Sequence, residues 1–225
     1  MKEIARNIAA IRSNLPQQTR LVAVSKFHPA AAIREAYDAG QRLFGESRVQ
    51  ELIVKQAALP QDIEWHFIGH LQTNKVKQIV PFISLIHSID SPRLLAEVEK
   101  EAGRCRRTVD CLLQLHIARE ETKYGFSFEE CREYLASGAW RAMPHIRLCG
   151  VMGMATYTDD ETAVRQEFDS LQQFFWEIKN GYFADKEYFR EISTGMSHDY
   201  LTAVECGSTL VRVGSSIFGE RNLIT

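Results

Sequence analysis

Lys26 ends a run, Leu21-Val22-Ala23-Val24-Ser25, whose first four residues are aliphatic. Such a run reads as a strand buried on both faces. A lysine just beyond it is partly desolvated, which lowers the amine pKa toward nucleophilic use and Schiff-base chemistry. Two later segments suit an anion. Ser193-Thr194-Gly195-Met196-Ser197 follows one apolar strand and leads into a helix, and Val213-Gly214-Ser215-Ser216 follows another. Untaken amides, hydroxyls and a helix dipole are the groups that bind a phosphate. Taken singly, Lys26 is equally a surface lysine or the partner of Glu46, Ser197 an N-cap and Gly214 a turn. It is the pairing of the two loops that favours a phosphate site. An amine across from a phosphate site suits a phosphorylated aldehyde or ketone.

Arg212 reaches the same place if its strand is in register. Two readings stay open for it: a buried ion pair with Glu205 or Glu220, or a fixed donor facing a ring nitrogen or phosphate. His66 and Asn74 are candidates for the wall, although a histidine on a buried strand is more often a satisfied core residue. His116, His145 and His198 have no metal-binding spacing. Lys75, Lys77 and Lys123 read as solvated, and Phe168, Phe174, Phe175 and Trp176 as helix packing.

The elements that must carry these residues repeat one pattern. A leading amphipathic helix with Ile4, Ile8 and Ile11 on one stripe precedes the first strand. Pro29 opens the next helix and Gly40 closes it. Strands are then predicted at 42–46, 65–69, 85–89, 109–117, 146–154, 189–193 and 209–213, and a helix follows each but the last. Ser91-Pro92 caps one helix, and Ser127 with Glu130, and Thr158 with Glu161, form capping boxes for two others. Alternating strands and helices predict a parallel sheet with crossover helices, and eight units in this length predict a closed (β/α)8 barrel with an extra N-terminal helix. The rival is an open doubly wound sheet. Against it, the first strand lacks a GxGxxG loop and the eighth is too apolar for an edge. In a barrel the C-terminal strand ends face the site, which collects Lys26, Glu46 with Ser47, Gly69 with His70, Asp90, His116, Met154, Ser197, and Arg212 with 214–216.

Composition narrows the function classes. The 225 residues are 45% hydrophobic and 25% charged, ordinary for a soluble globular protein, and no linker divides them, so one domain over 1–225 is expected. A net charge of −2 supplies no basic field for nucleic acid or an anionic membrane surface. Five scattered cysteines with no CxxC pair favour reduced thiols in the cytoplasm. The N-terminus lacks an apolar signal-peptide core, and no run is long enough to span a bilayer.

Ala23-Val24-Ser25-Lys26, Phe44-Gly45-Glu46, Trp65-His66-Phe67-Ile68-Gly69 with Leu71-Gln72-Thr73-Asn74-Lys75, Gly195-Met196-Ser197, and Val211-Arg212-Val213-Gly214-Ser215 with Ile217-Phe218-Gly219 together resemble the pyridoxal phosphate homeostasis protein family. The motifs occur in the family's order from about the first helix to the last strand. The resemblance implies a fold-type III barrel, like the N-terminal domain of alanine racemase, carrying pyridoxal 5′-phosphate on a lysine. Lys26 matches the Schiff-base lysine, Ser197 the phosphate-binding serine, and Gly214 and Ser215 the glycine and hydroxyl after strand eight. Arg212 matches the arginine that faces the pyridine nitrogen, which implies a poorer electron sink and weak chemistry. Two positions depart from the family: Ser47 stands where many relatives have asparagine, and His70 where they have proline. Lys123, in a Lys-Tyr-Gly-Phe turn, resembles a secondary cofactor contact.

The resemblance implies a cytoplasmic, monomeric protein that holds the cofactor and passes it to pyridoxal-dependent apoenzymes, with little or no turnover. The chain ends at Thr225, leaving no room for the second domain that supplies an opposite-face base in the racemases. The alternative is an enzyme, either a racemase or a lysine Schiff-base aldolase using Glu46 or His66 for proton transfer.

Overall fold

Strands that are apolar on both faces need two apolar coats, and each strand here has one inside and one outside. The computed structural model describes residues 3–120 and 124–219. Its strands are β1 (Arg20–Val24), β2 (Leu43–Glu46), β3 (Glu64–Phe67), β4 (Leu85–Ile89), β5 (Val109–Gln114), β6 (Ile146–Met152), β7 (Glu191–Ser193) and β8 (Leu210–Val213). They pair in chain order, all parallel, and close as a barrel. Closure is carried by β1 and β8, with Leu21 opposite Val211 and Ala23 opposite Val213. The expected barrel is found, and the open sheet is excluded.

The helices are α1 (Glu3–Ser13), α2 (Ala30–Asp38), α3 (Val49–Ala58), α4 (Val76–Ile79), α5 (Pro92–Cys105), α6 (Phe128–Ser137), α7 (Glu161–Tyr182), α8 (Tyr200–Glu205) and α9 (Ser215–Phe218). Outward strand residues such as Leu21, Phe44, Ile86 and Val151 pack with Ile33, Leu52, Leu95 and Ile178 of the helices in one continuous core. Inward residues Val22, Leu85, Leu112, Cys149, Met152 and Leu210 fill the barrel itself. This alternation settles the direction of Arg212. It lies opposite inward-facing Val22 and therefore points into the barrel.

The caps at Ser91 and Ser127 are as expected, the second as a reciprocal box with Glu130 (3.1 and 2.7 Å). Thr158 with Glu161 is a correction. The cap of α7 is Asp160, which accepts from the amides of Thr162 and Ala163 at 3.1 Å, while Thr158 accepts from Asp160. A carboxylate immediately before the first turn satisfies two orphan amides and also meets the helix dipole. Strand five ends at Gln114, three residues short of expectation. Beyond it the loop folds back, and Phe126 takes the ladder positions against Gln114 and His116 at 2.8 Å. The helix expected over 74–80 is a 3-10 turn at Thr73–Lys75 leading into α4.

Candidate functional site

The chain leaves β1 through a sharp turn built around Lys26. The Ser25 amide still donates to the Gly45 carbonyl (3.0 Å), and the His28 amide closes back on the Ser25 carbonyl (3.1 Å). Between them Phe27 adopts φ 69°, a left-handed conformation that strains a bulky residue. A buried polar cluster holds the turn. The Phe27 amide donates to Glu51 (2.7 Å), and Lys55 Nζ donates to the Ser25 carbonyl (2.8 Å) and to Glu46 (2.6 Å). The Ser25 hydroxyl donates to Glu46 as well (2.6 Å).

Glu46 is thus the partner of Lys55, not of Lys26. It is fully buried, and burial pushes its carboxyl up although Lys55 pulls it down. Lys55 was not singled out from sequence. Its signal is an i, i+4 spacing from Glu51 on a face shared with the buried Leu52.

Arg212 is 4% exposed, and the reading of it as an ion pair with Glu205 fails. Glu205 pairs with Arg165, and Glu220 lies outside the described residues. Arg212 instead donates to the Ser193 carbonyl (2.7 Å), the Ser193 hydroxyl (2.6 Å) and the Gly153 carbonyl (3.0 Å). Burial lowers its pKa to about 10, so it remains a cation at neutral pH. The Ser193 hydroxyl, expected among the anion-binding groups, faces the barrel interior.

The two loops meet each other. Ser197 Oγ accepts from the Gly214 amide (3.2 Å), and the Met196 amide donates to Asp199. Gly195 has φ 89°, and a Cβ there would lie 2.6 Å from that of Ala203, so the turn needs glycine. At Gly214 a Cβ would lie 3.1 Å from the Val24 carbonyl, so glycine lets β8 approach the end of β1. Among the described residues, nothing accepts from the amides of Ser197, His198, Ser215 or Ser216. Four donors without acceptors, beside a buried cation, are what an anion requires.

Lys26, Ser197, Arg212, Gly214 and Ser215 all line one cavity of about 290 Å³ at the C-terminal end of the barrel. His28, Tyr157 and His198 line it too. Of these, His28 follows Lys26 by two residues, whereas nothing in the sequence singles out Tyr157. Met154 is in the lining as expected. Glu46, His66 and Asn74 are not, which removes the proton-transfer groups invoked for an aldolase. His70 is outside this lining and lines a separate depression with Ser47, bonded to Asp90 (3.0 Å) and stacked on Tyr124 at 3.9 Å. Lys123 lies outside the described residues. No cluster of three metal-ligating side chains occurs among the described residues.

A phosphorylated aldehyde fits this donor set on the observations above: a half-buried amine, a buried cation, four open amides and a glycine-lined approach. The family model for the alanine racemase N-terminal domain matches residues 1–222. A curated relative from Aquifex aeolicus, the pyridoxal phosphate homeostasis protein, is 38% identical over 90% of this chain and 87% of its own. The chain belongs to the pyridoxal phosphate homeostasis protein family. The homeostasis protein of Escherichia coli strain K12 is 34% identical over 99% of this chain and 98% of its own.

Among solved structures, PipY of Synechococcus elongatus without PLP superposes with a TM-score of 0.90 at 38% identity, covering 96% of this chain and all of that one. The PLP-bound PipY structure gives 0.87. Alanine racemase from Streptomyces lavendulae gives 0.80 at 21% identity, with 56% of that chain covered, a likeness of fold. No helix among the described residues is long and apolar enough to cross a membrane.

Proposed function

We propose that this chain binds pyridoxal 5′-phosphate in the cavity at the barrel mouth, with the Lys26 amine forming the Schiff base to its aldehyde, and serves in cofactor homeostasis rather than turnover. The observation that carries this is the convergence of Lys26, Arg212, Ser197, Gly214 and Ser215 on one cavity. The names of the relatives and the PLP-bound PipY structure support it. The cofactor supplies an aldehyde that a lysine captures with loss of water. The chain's own residues do the rest. The open amides of 197–198 and 215–216 hold the phosphate, Arg212 presents a fixed positive donor, and the Glu46, Glu51 and Lys55 cluster fixes the turn that aims Lys26. On this reading the protein is a cytoplasmic monomer of one barrel domain, and its partners are the cofactor and the apoenzymes that receive it.

The test is the absorption spectrum of the purified protein incubated with pyridoxal phosphate. A new visible band that borohydride traps, and that Lys26→Ala abolishes, is expected; a colourless protein overturns the reading. A second reading has one observation in its favour: His28 and His198 line the same cavity and are able to move a proton there. Racemisation of an amino acid at a useful rate, lost on Lys26→Ala and on replacement of either histidine, would select it.

A further inference from the structure

Behind Arg212 the barrel interior holds a second polar structure that the cavity lining does not use. Arg212 donates to Ser193 Oγ at 2.6 Å, Ser193 Oγ meets His87 Nδ1 at 2.9 Å, and His87 Nε2 meets His66 Nδ1 at 3.0 Å. The four side chains come from β8, β7, β4 and β3, and none is more than 4% exposed. One end of the chain, Arg212, belongs to the mouth cavity. The other, His66, lines a different cavity of about 480 Å³ together with Arg20, Glu64, Asp110 and Arg147. That second cavity lies at the N-terminal ends of the strands, since Arg20 and Glu64 are the first residues of β1 and β3. The chain therefore runs through the barrel from one end to the other.

Counting protons gives it a direction. A guanidinium only donates, so Ser193 Oγ accepts from Arg212 and has its own hydrogen left to place. Among the described residues the acceptor within reach of that hydrogen is His87 Nδ1. His87 then carries its proton on Nε2 and donates to His66 Nδ1, and His66 in turn carries its proton on Nε2. The reverse order, His66 to His87 to Ser193, leaves the serine hydrogen buried without an acceptor, at a cost of about 1–3 kcal/mol. Burial pushes the pKa of His66 down to about 3 and that of His87 well below its ordinary value, so both rings stay neutral, as the count requires.

The consequence for Arg212 is geometric. Of the five N–H groups of a guanidinium, three are fixed by Ser193 and Gly153, and two remain for the cavity. We infer that Ser193 and His87 are positioning residues for Arg212, and that the one-way hydrogen-bond relay they form ends in a His66 Nε2–H facing the cavity at the opposite end of the barrel. Hydrogen bonds in such a chain polarise one another. An anion that accepts from the two remaining N–H groups of Arg212 therefore registers at His66. This ligand-dependent part rests on the reading of the mouth cavity as the pyridoxal phosphate site; the direction of the relay does not.

The test is nitrogen NMR of the full-length protein labelled in histidine, first without cofactor at neutral pH. Two neutral rings protonated on Nε2 are expected for His66 and His87. A cationic ring, or His87 protonated on Nδ1, overturns the relay. Pyridoxal phosphate is then added to the wild type and to Ser193→Ala. The His66 signal is expected to move in the wild type and not in the variant, with binding weakened about tenfold by the loss of one hydrogen bond to a charged group. Equal binding by both proteins, or an unmoved His66 signal in a wild type that binds, overturns the positioning role. If the wild type does not bind the cofactor at all, the proposed function falls, while the ring protonation still decides the relay.

Discussion

The two ends of this barrel use similar side chains in opposite ways. At the N-terminal end, arginines are matched with carboxylates: Arg147 with Asp110 through two 2.7 Å bonds, and Arg20 with Glu191 at 2.8 Å. At the C-terminal end, Arg212 is more deeply buried yet bonds only neutral oxygens, and four backbone amides nearby are taken by no described residue. Paired charges hold surface elements together and leave little to offer a ligand. A buried cation that Asp199 acts on only through space, with no hydrogen bond between the two, still gains when an anion arrives. The difference is what the proposed assignment of the site to the C-terminal end predicts.

Acid is expected to have the largest effect, through the neutral interior that joins the two ends. His66 and His87 have native pKa values depressed below those of the unfolded chain, His66 to about 3. Below pH 6.5 the unfolded chain takes up protons that the native interior refuses, so stability falls as pH falls, and the His66 contribution levels off near pH 3. Well below pH 6.5 the slope approaches about 1.4 kcal/mol per pH unit for each histidine, which gives about 2 kcal/mol from His66 alone between pH 6.5 and 4.5. Arg20 and Arg212 act on the rings, and Asp110 and Glu64 line the cavity that His66 lines, so denaturant melts of His66→Gln and His87→Gln are needed to assign the slope. If both variants keep it, the interior is not neutral.

Arg212→Met comes next and tests the contrast directly. Removing a cation that faces a phosphate-competent loop is expected to weaken pyridoxal phosphate binding about a hundredfold, while leaving thermal stability unchanged or raised. A variant that loses stability and keeps affinity would show that Arg212 belongs with the structural arginines. Gly195→Ala should destabilise by about 1–3 kcal/mol, because its left-handed φ and the 2.6 Å approach to Ala203 leave no room for a methyl group. Its phosphate affinity should fall as the loop shifts, readable by titration. Arg147→Ala, at the other end, is expected to cost about 1 kcal/mol or less in chemical denaturation and to leave cofactor affinity untouched, since its pair with Asp110 is partly solvated.

How much of this was legible varies with the kind of signal. That Lys26, Ser197, Gly214 and Ser215 share one cavity was legible because each follows an apolar run, and a closed barrel brings its strand ends together. Ser127 with Glu130 was found because capping boxes are local. Asp160 displaced Thr158 because two capping candidates stood two residues apart and sequence does not reveal which one meets the amides. Lys55 escaped because a lysine on an apolar helix face reads as solvated until its buried partner, Glu46, is known. The contact between His87 and Ser193 escaped for a similar reason. They lie 106 residues apart and touch only across the barrel.

The sequence by itself determined the order of strands and helices, the barrel as the closed form of that order, and the loop positions of Lys26 and the phosphate-competent segments. These follow from periodicity, caps and turn residues, all of which act within a few residues along the chain. Tertiary structure alone decided that Arg212 bonds carbonyls rather than Glu205, that Glu46 serves Lys55, and that His66, His87 and Ser193 meet in one hydrogen-bonded chain. Those choices depend on which side chains meet inside a closed sheet. Closure brings β1 against β8 and β3 across from β7, and no local pattern encodes those distances.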